Sequence, residues 1–303
     1  MSVELRPPRL EDAQAISRMS DAFHRAEGGD RISRAIAEAW LTTPSLDLEQ
    51  DARVALTAGE VVGFADVFDP GRERKRFWSE VRVDPAHPEA WPLLLDFVEC
   101  RAREIGASAG RLQISVPERA VALREQLELR GFVFQRFSFR MYAELDGGAP
   151  EPCWPVGIEP RSFRPGEEQA VYDVHEETFS EHPDHTRFTF DEWRHWALAE
   201  PFDPDLWTIA LAEGELQGIA LCRPEWGGDP EVGWISVLGV RRAWRGRGLG
   251  LALLQHTFRQ LRDRGKKRVG LAVDAENANG VRLYERAGMQ VEQRRLLYEK
   301  QAR

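Results

Sequence analysis

The stretch "WRGRGLGLALL" (244–254) places glycine at 246, 248 and 250 and arginine at 245 and 247. Stripping the side chain from every second position opens the backbone N–H groups to close approach by a ligand. Two guanidinium groups add fixed positive charge. This combination suits an anion, above all a phosphate if a helix begins there, because the unpaired amides and dipole of a first helical turn favour negative charge. The cysteines offer no comparable chemistry. Cys100, Cys153 and Cys222 lie far apart with no C-x-x-C pair, so they read as small buried hydrophobes and not as a zinc site or disulfide framework.

The elements around the loop follow from periodicity. "WISVLGV" (234–240) is an apolar run short enough for a buried strand, and the glycines follow closely. Leu251, Leu254, Phe258 and Leu261 then recur at i, i+3, i+7 and i+10, one apolar stripe of a helix for which Gly265 is a plausible stop. "RVGLAV" (268–273) predicts the next strand, "GVRLYERAG" (280–288) a short helix ended by Gly288, and "VEQRRLLYEK" (291–300) a last strand. The glycine loop therefore joins a strand to a helix N-terminus. A dinucleotide site shares that layout, but its spacing is G-x-G-x-x-G, its loop follows the strand without an intervening "RRAWR", and an antiparallel hairpin does not precede it. A Walker A loop fails because no Gly-Lys-Ser/Thr follows.

A degenerate internal repeat sets the domain organisation. "VELRPPRLEDAQAI" (3–16) parallels "IEPRSFRPGEEQAV" (158–171), and "VALTAGEVVGFADV" (54–67) parallels "IALAEGELQGIALC" (209–222), both at an offset of 155. The second pair predicts a hairpin in each half. "VPERAVALREQLELRGF" (116–132) parallels "VDAENANGVRLYERAGM" (273–289) at an offset of 157. Two related domains follow, residues 1–145 and 156–303, joined by the Gly- and Pro-rich linker 146–155. A chain of 303 residues suits two domains of about 150 each. In the first half the loop is "DPAHPEA", without glycine or arginine and with two prolines that lack the N–H a phosphate needs.

Composition excludes other classes. The formal net charge of -9 disfavours a nucleic-acid partner, whose binding depends on clustered Lys and Arg. No apolar run approaches the roughly 18 residues of a membrane span, and the N-terminal charges are too closely spaced for a signal peptide. A cytoplasmic protein without membrane association, monomeric or homodimeric, is expected.

"VLGVRRAWRGRGLGLALL" followed by "ENANGVRLYERAGM" resembles the GNAT superfamily of acyl-CoA-dependent N-acetyltransferases, whose signature is Q/R-x-x-G-x-G/A after the fourth strand. Arg245, Gly248 and Gly250 match that signature, and Asn277, Tyr284, Gly288 and Met289 match the later run. The doubled layout with a degenerate first copy is similar to the tandem branch that includes the mycothiol synthases. The resemblance implies an α/β fold of the α+β type, two tandem GNAT-like domains each with a mixed, largely antiparallel sheet flanked by helices. It implies acetyl-CoA as cosubstrate, no metal, and a primary amine of a small molecule as acceptor. A cysteinyl amine is supported only by the tandem layout. On the same ground the backbone of Arg245, Gly246, Arg247, Gly248, Leu249 and Gly250 would cradle the pyrophosphate, Leu238 and Val240 would pair with the pantetheine arm, and Asn277 would steady that arm or cap the following helix. Tyr284 would protonate the leaving thiolate, and Glu231, with Glu225 behind it, would serve as general base or stand as a solvated strand end. Leu127 and Ala120 occupy the positions of Tyr284 and Asn277 in the first repeat, so that copy reads as catalytically empty. "FSEHPDHTRFTFDEWRHW" (179–196) carries His182, His185 and His195 without i, i+4 metal spacing and reads as an aromatic lid or packing segment. The alternative function is a CoA-binding regulatory or interaction module, which would not need a proton donor beside the sulfur.

Overall fold

The structure, a computed structural model, describes residues 2–106, 110–148, 150–181 and 185–302. It divides into two compact units, Met1–Ser138 with His195–Ala199 and Gln293–Arg303, and Phe139–Arg194 with Glu200–Glu292.

The first unit runs β1 (Glu4–Arg6), α1 (Ala13–Glu27), α2 (Arg34–Leu41), α3 (Leu48–Asp51), β2 (Ala52–Thr57), β3 (Glu60–Asp66), β4 (Arg76–Ser79), β5 (Val81–Val83), α4 (Ala90–Ile105), β6 (Arg111–Pro117), α5 (Val121–Leu129) and the start of β7 (Val133–Glu144). β1, β2, β3 and β5 form an antiparallel sheet, while β4 runs parallel to β6. The expected hairpin turns at Ala58–Gly59 with φ of 51° and 83°, the double positive φ that matches the twist of the flanking strands. Phe23, Leu94, Leu112, Leu123 and Leu127 are buried in its core.

The second unit continues with β8 (Glu159–Ser162), α6 (Glu168–Phe179), α7 (Phe190–Ala197), β9 (Thr208–Ala212), β10 (Glu215–Arg223), β11 (Val232–Val240), α8 (Leu249–Asp263), β12 (Arg268–Asp274) and α9 (Ala278–Arg286) before β13 (Gln290–Gln301). Its sheet order is β7-β12-β11-β10-β9-β8. The stripe on α8 buries Leu254, Phe258 and Leu261 against Ile235, Val269 and Leu271, with Leu251 half-buried. Each of the three contributes about 1.5–3 kcal/mol of transfer free energy. That burial fixes where the N-terminus of α8 points.

The repeats exchange their last strands. β7 and β13 are equivalents at the offset of 157, yet Arg295–Gln301 pairs antiparallel with Arg111–Pro117 of β6 in the first unit. The second unit takes β7 beside β12, and Leu145 N–H donates to the Lys267 carbonyl at 2.8 Å. The Tyr298 hydroxyl donates to Glu128 at 2.7 Å and Lys300 to Glu99 at 2.6 Å, anchoring β13 in its unit. The units therefore depart from a single cut in the linker. The cysteines need correction as well: Cys222 is buried, but Cys100 and Cys153 are exposed, because each lies outside its unit's apolar face. Among the described residues no helix is long and apolar enough to cross a membrane.

Candidate active site

The site begins where two parallel strands part. β11 pairs with β12 only over Val232–Ile235 with Arg268–Leu271. Its register with β10 continues to Gly218↔Val240, interrupted by a bulge opposite Leu221 and Cys222 that leaves Ser236 unpaired. A bulge bends and twists its strand, and this one falls where β11 leaves β12. The backbone edge from Ser236 to Val240, including Leu238 and Val240, is left outside the β12 ladder. Leu238 packs toward the α8 core. Gly239 faces α6, and a Cβ there would come within 2.6 Å of Thr178 Oγ1.

Beyond Val240 the chain makes one 3₁₀ turn, Arg242–Trp244, and enters the glycine loop. Gly246 has φ of 72°; Gly248, with φ of 89°, is the left-handed N-cap of α8 and supplies no side-chain cap. The N–H groups of Leu249 and its two successors precede the first intrahelical acceptor. A Cβ at 246 or 248 would meet nothing within 4 Å, so backbone conformation demands glycine there and space does not. Gly250 differs. Its Cβ would lie 3.1 Å from Leu283 Cδ2 and 3.8 Å from Val240 Cγ2, so it lets α9 close on the first turn of α8 and the end of β11.

The two loop arginines have separate surroundings. Arg245 donates to the Val240 carbonyl at 2.9 Å, to Glu181 at 2.5 Å and to the Thr178 carbonyl at 3.4 Å. Arg242 shares Glu181 at 2.6 Å, and together the guanidinium groups of Arg245 and Arg242 hold that carboxyl below its usual range. Arg245 braces the loop against the end of α6. Arg247 has no carboxylate partner among the described residues and stands 5.1 Å from the Trp244 ring, leaving its charge available to an anion.

Asn277 caps α9, its Oδ1 accepting the Gly280 N–H at 2.9 Å, and its amide N–H₂ remains a donor. Tyr284, one turn from the helix end, packs half-buried against the α8 core. Burial pushes its phenol up to about 12, and among the described residues no protein group pairs with its hydroxyl. A glycine-lined helix start and a free strand edge thus meet at the end of β11, and Gly250 lets α9, the helix that carries Tyr284, close against them.

Residues 168–289 match the acetyltransferase (GNAT) family. A mycothiol acetyltransferase of Amycolatopsis mediterranei is 30% identical over 244 residues, covering 78% of this chain and 79% of the relative. A crystal structure of a GCN5-related N-acetyltransferase from Sphaerobacter thermophilus superposes with a TM-score of 0.78 at 32% identity, covering 99% and 96% of the two chains. The chain belongs to the GNAT acetyltransferase family. A tandem GNAT protein from the clavulanic acid biosynthesis pathway, at 15% identity and a TM-score of 0.75 over 100% of this chain and 99% of that one, shares its fold.

In this acetyltransferase the first unit lacks the same features at the matching positions. Leu127 is fully buried where Tyr284 stands, and Ala120 starts α5 without a side-chain cap. Before α4 the amides of Ala86, His87 and Ala90 are taken by Asp84 and His87. Arg82, 2% exposed and equivalent to Gly239, donates to Glu80, Ser20 and the Asp30 carbonyl at 2.6–2.7 Å. An arginine is accommodated there, whereas at Gly239 Thr178 lies close enough to exclude even a Cβ.

Glu231 is not brought to the glycine loop. It precedes β11, is exposed, and pairs with Lys267. Five residues of extended chain, roughly 16 Å, separate it from Ser236. Glu225 lies in the same connection between β10 and β11. Of the three histidines, His185 pairs with Glu176 at 3.1 Å, His195 Nε2 stands 2.8 Å from the Ala39 carbonyl, and His182 lies outside the described residues. Sequence reasoning missed Ser236, Gly239, Thr178 and Glu181. Gly239 carried a signal, since glycine inside a strand marks a bulge or close approach; Glu181 carried none.

Proposed function

We propose that the second repeat transfers an acetyl group from acetyl-CoA to a primary amine of a small molecule by direct attack on the thioester. The parting of β11 from β12 beside a helix start that carries left-handed glycines is the observation that carries this reading. The free edge of Leu238 and Val240 suits the amide groups of a pantetheine arm, and the amides from Arg245 to Gly250, with Arg247, suit its pyrophosphate. Asn277 would steady the arm through its N–H₂ while its oxygen caps α9. Tyr284 would donate to the departing sulfur, whose thiol has an ordinary pKa near ~8.5. The amine must lose a proton before attack, because an ammonium near pKa ~10.4 has no lone pair. We leave Glu231 out of that role on the ground of its distance.

The second repeat carries this assignment, with residues 1–145 as a degenerate copy and 146–155 as the connection. The names of the relatives favour a small-molecule acceptor, and a cysteinyl amine is the finer expectation. Titration calorimetry with acetyl-CoA and separately with NADH tests the cosubstrate; one-site acetyl-CoA binding is expected. Thiol release from acetyl-CoA with glucosamine and with S-methyl-L-cysteine methylamide then tests the acceptor class. Tight NADH binding without acetyl-CoA binding would sink the proposal.

A further inference from the structure

A buried, unsatisfied pair of polar atoms lies on α6, one turn before its contact with β11. Thr178 meets Gly239, and His175 stands three residues earlier, on the same helix face and about 5 Å up the axis. His175 Nδ1 and Glu176 Oε1 are both buried, and neither has a hydrogen-bond partner among the described residues. They lie 3.8 Å apart, on side chains 14% and 10% exposed. That separation is too long for a direct hydrogen bond. It is the right base for a triangle whose apex, about 2.8 Å from each, is a shared donor.

The surroundings define which donor. Glu176 turns its other oxygen to His185 at 3.1 Å and toward Arg187 at 3.9 Å, while Glu192, on α7, is committed to Thr189 at 2.7 Å. The His175 ring is flanked by Phe179 at 4.8 Å and Trp193 at 6.4 Å, and Tyr172 stands 5.6 Å from Trp193. Burial pushes His175 down to about 4, opposed by nothing and reinforced by His185, so the imidazole is neutral and keeps a lone pair. Burial raises Glu176, with His185 pulling against it. A buried carboxylate oxygen, a neutral imidazole nitrogen and aromatic faces all attract a cation that carries N–H donors. Left without a donor, Oε1 is a buried acceptor that lowers stability, although the other oxygen of the same carboxylate is paired.

We propose that Glu176 Oε1 and His175 Nδ1 form the binding site for the ammonium group of the acceptor, selecting a primary amine over a neutral or anionic nucleophile. The proposal rests on the acetyl-transfer reading for what the bound amine does next. It does not rest on that reading for the binding itself.

The test is imidazole ¹⁵N NMR of the whole protein, titrated with methylammonium chloride against equal potassium chloride, with the His175 signal assigned by its loss in His175→Gln. A saturable shift specific to methylammonium is expected, weakened at least tenfold in Glu176→Gln, with acetyl-CoA affinity equal in both proteins. If Glu176→Gln does not fold, Glu176→Asp, which keeps the charge but draws the carboxylate back by one methylene, must weaken the shift in the same sense. An unmoved His175 signal, as a permanently bound water between the two atoms would give, overturns the proposal; so does an equal shift in the variant. Failure of acetyl-CoA to bind while the shift persists would sink the cosubstrate assignment alone. With S-methyl-L-cysteine methylamide as acceptor, Glu176→Gln should raise the acceptor KM at least tenfold, and an unchanged KM counts against the site.

Discussion

Replacing Tyr284 with phenylalanine separates chemistry from packing. The ring packs on the α8 core, and its hydroxyl has no protein partner among the described residues, so Tyr284→Phe keeps the apolar contacts and leaves no polar group stranded. Unfolding temperature should change by no more than about a degree, because no hydrogen bond is lost. Catalysis should suffer far more. General acids contribute typically ~10²–10⁴-fold, which is roughly 2.7–5.4 kcal/mol at about 1.36 kcal/mol per decade. The loss should fall on kcat, with acetyl-CoA affinity from calorimetry unchanged, since the hydroxyl acts only as the C–S bond breaks. The pH dependence carries a second check. Burial pushes the phenol up to about 12, so the folded state favours the neutral form; the proton donor is retained as pH rises through the ordinary tyrosine range and is lost only near the raised value. A fall in wild-type rate with an apparent pKa near ~10, the ordinary tyrosine value, would refute the assignment. So would a variant with intact kcat and weakened acetyl-CoA binding.

Gly248→Ala should cost about 1–2 kcal/mol of stability, because it forces a Cβ into the left-handed region without any clash, and should weaken acetyl-CoA binding at least tenfold by calorimetry; unchanged affinity would put the phosphate elsewhere. Asn277→Ala removes the α9 cap and should lower stability by about 0.5–2 kcal/mol in urea titrations, with a raised acetyl-CoA KM; a stability loss with unchanged KM would leave Asn277 a cap and nothing more. Glu231→Gln should keep kcat within about twofold, given the distance along β11, and a hundredfold loss in steady-state assays would restore it as the base.

Much of the site was legible because it is local. The loop glycines, the stripe on α8 and the short helix ended by Gly288 are set by residues within a turn or two of one another, so periodicity and φ preference place them without knowledge of the rest. The hairpins at Ala58–Gly59 and Glu213–Gly214 were legible for the same reason, each turn taking positive φ at both residues. Roles that depend on distance were not. Glu231 sits on the right strand but at the wrong end, and Arg245, legible as a charge for a ligand, spends that charge on Glu181 across a separation of 64 residues.

The sequence by itself determined that this chain is a doubled α/β protein with one glycine-lined helix start, because repeats, glycines and apolar stripes are properties of single segments. Only the tertiary structure decided which strand closes each unit. β7 and β13 are repeat equivalents of the same length, so local propensity cannot tell them apart, and the choice falls to the edges each one meets. The parting of β11 from β12 at Ser236, the burial of Arg82 in the first unit and the pairing of His185 with Glu176 were decided at the same level. Each depends on which surfaces pack together, a property no single segment carries.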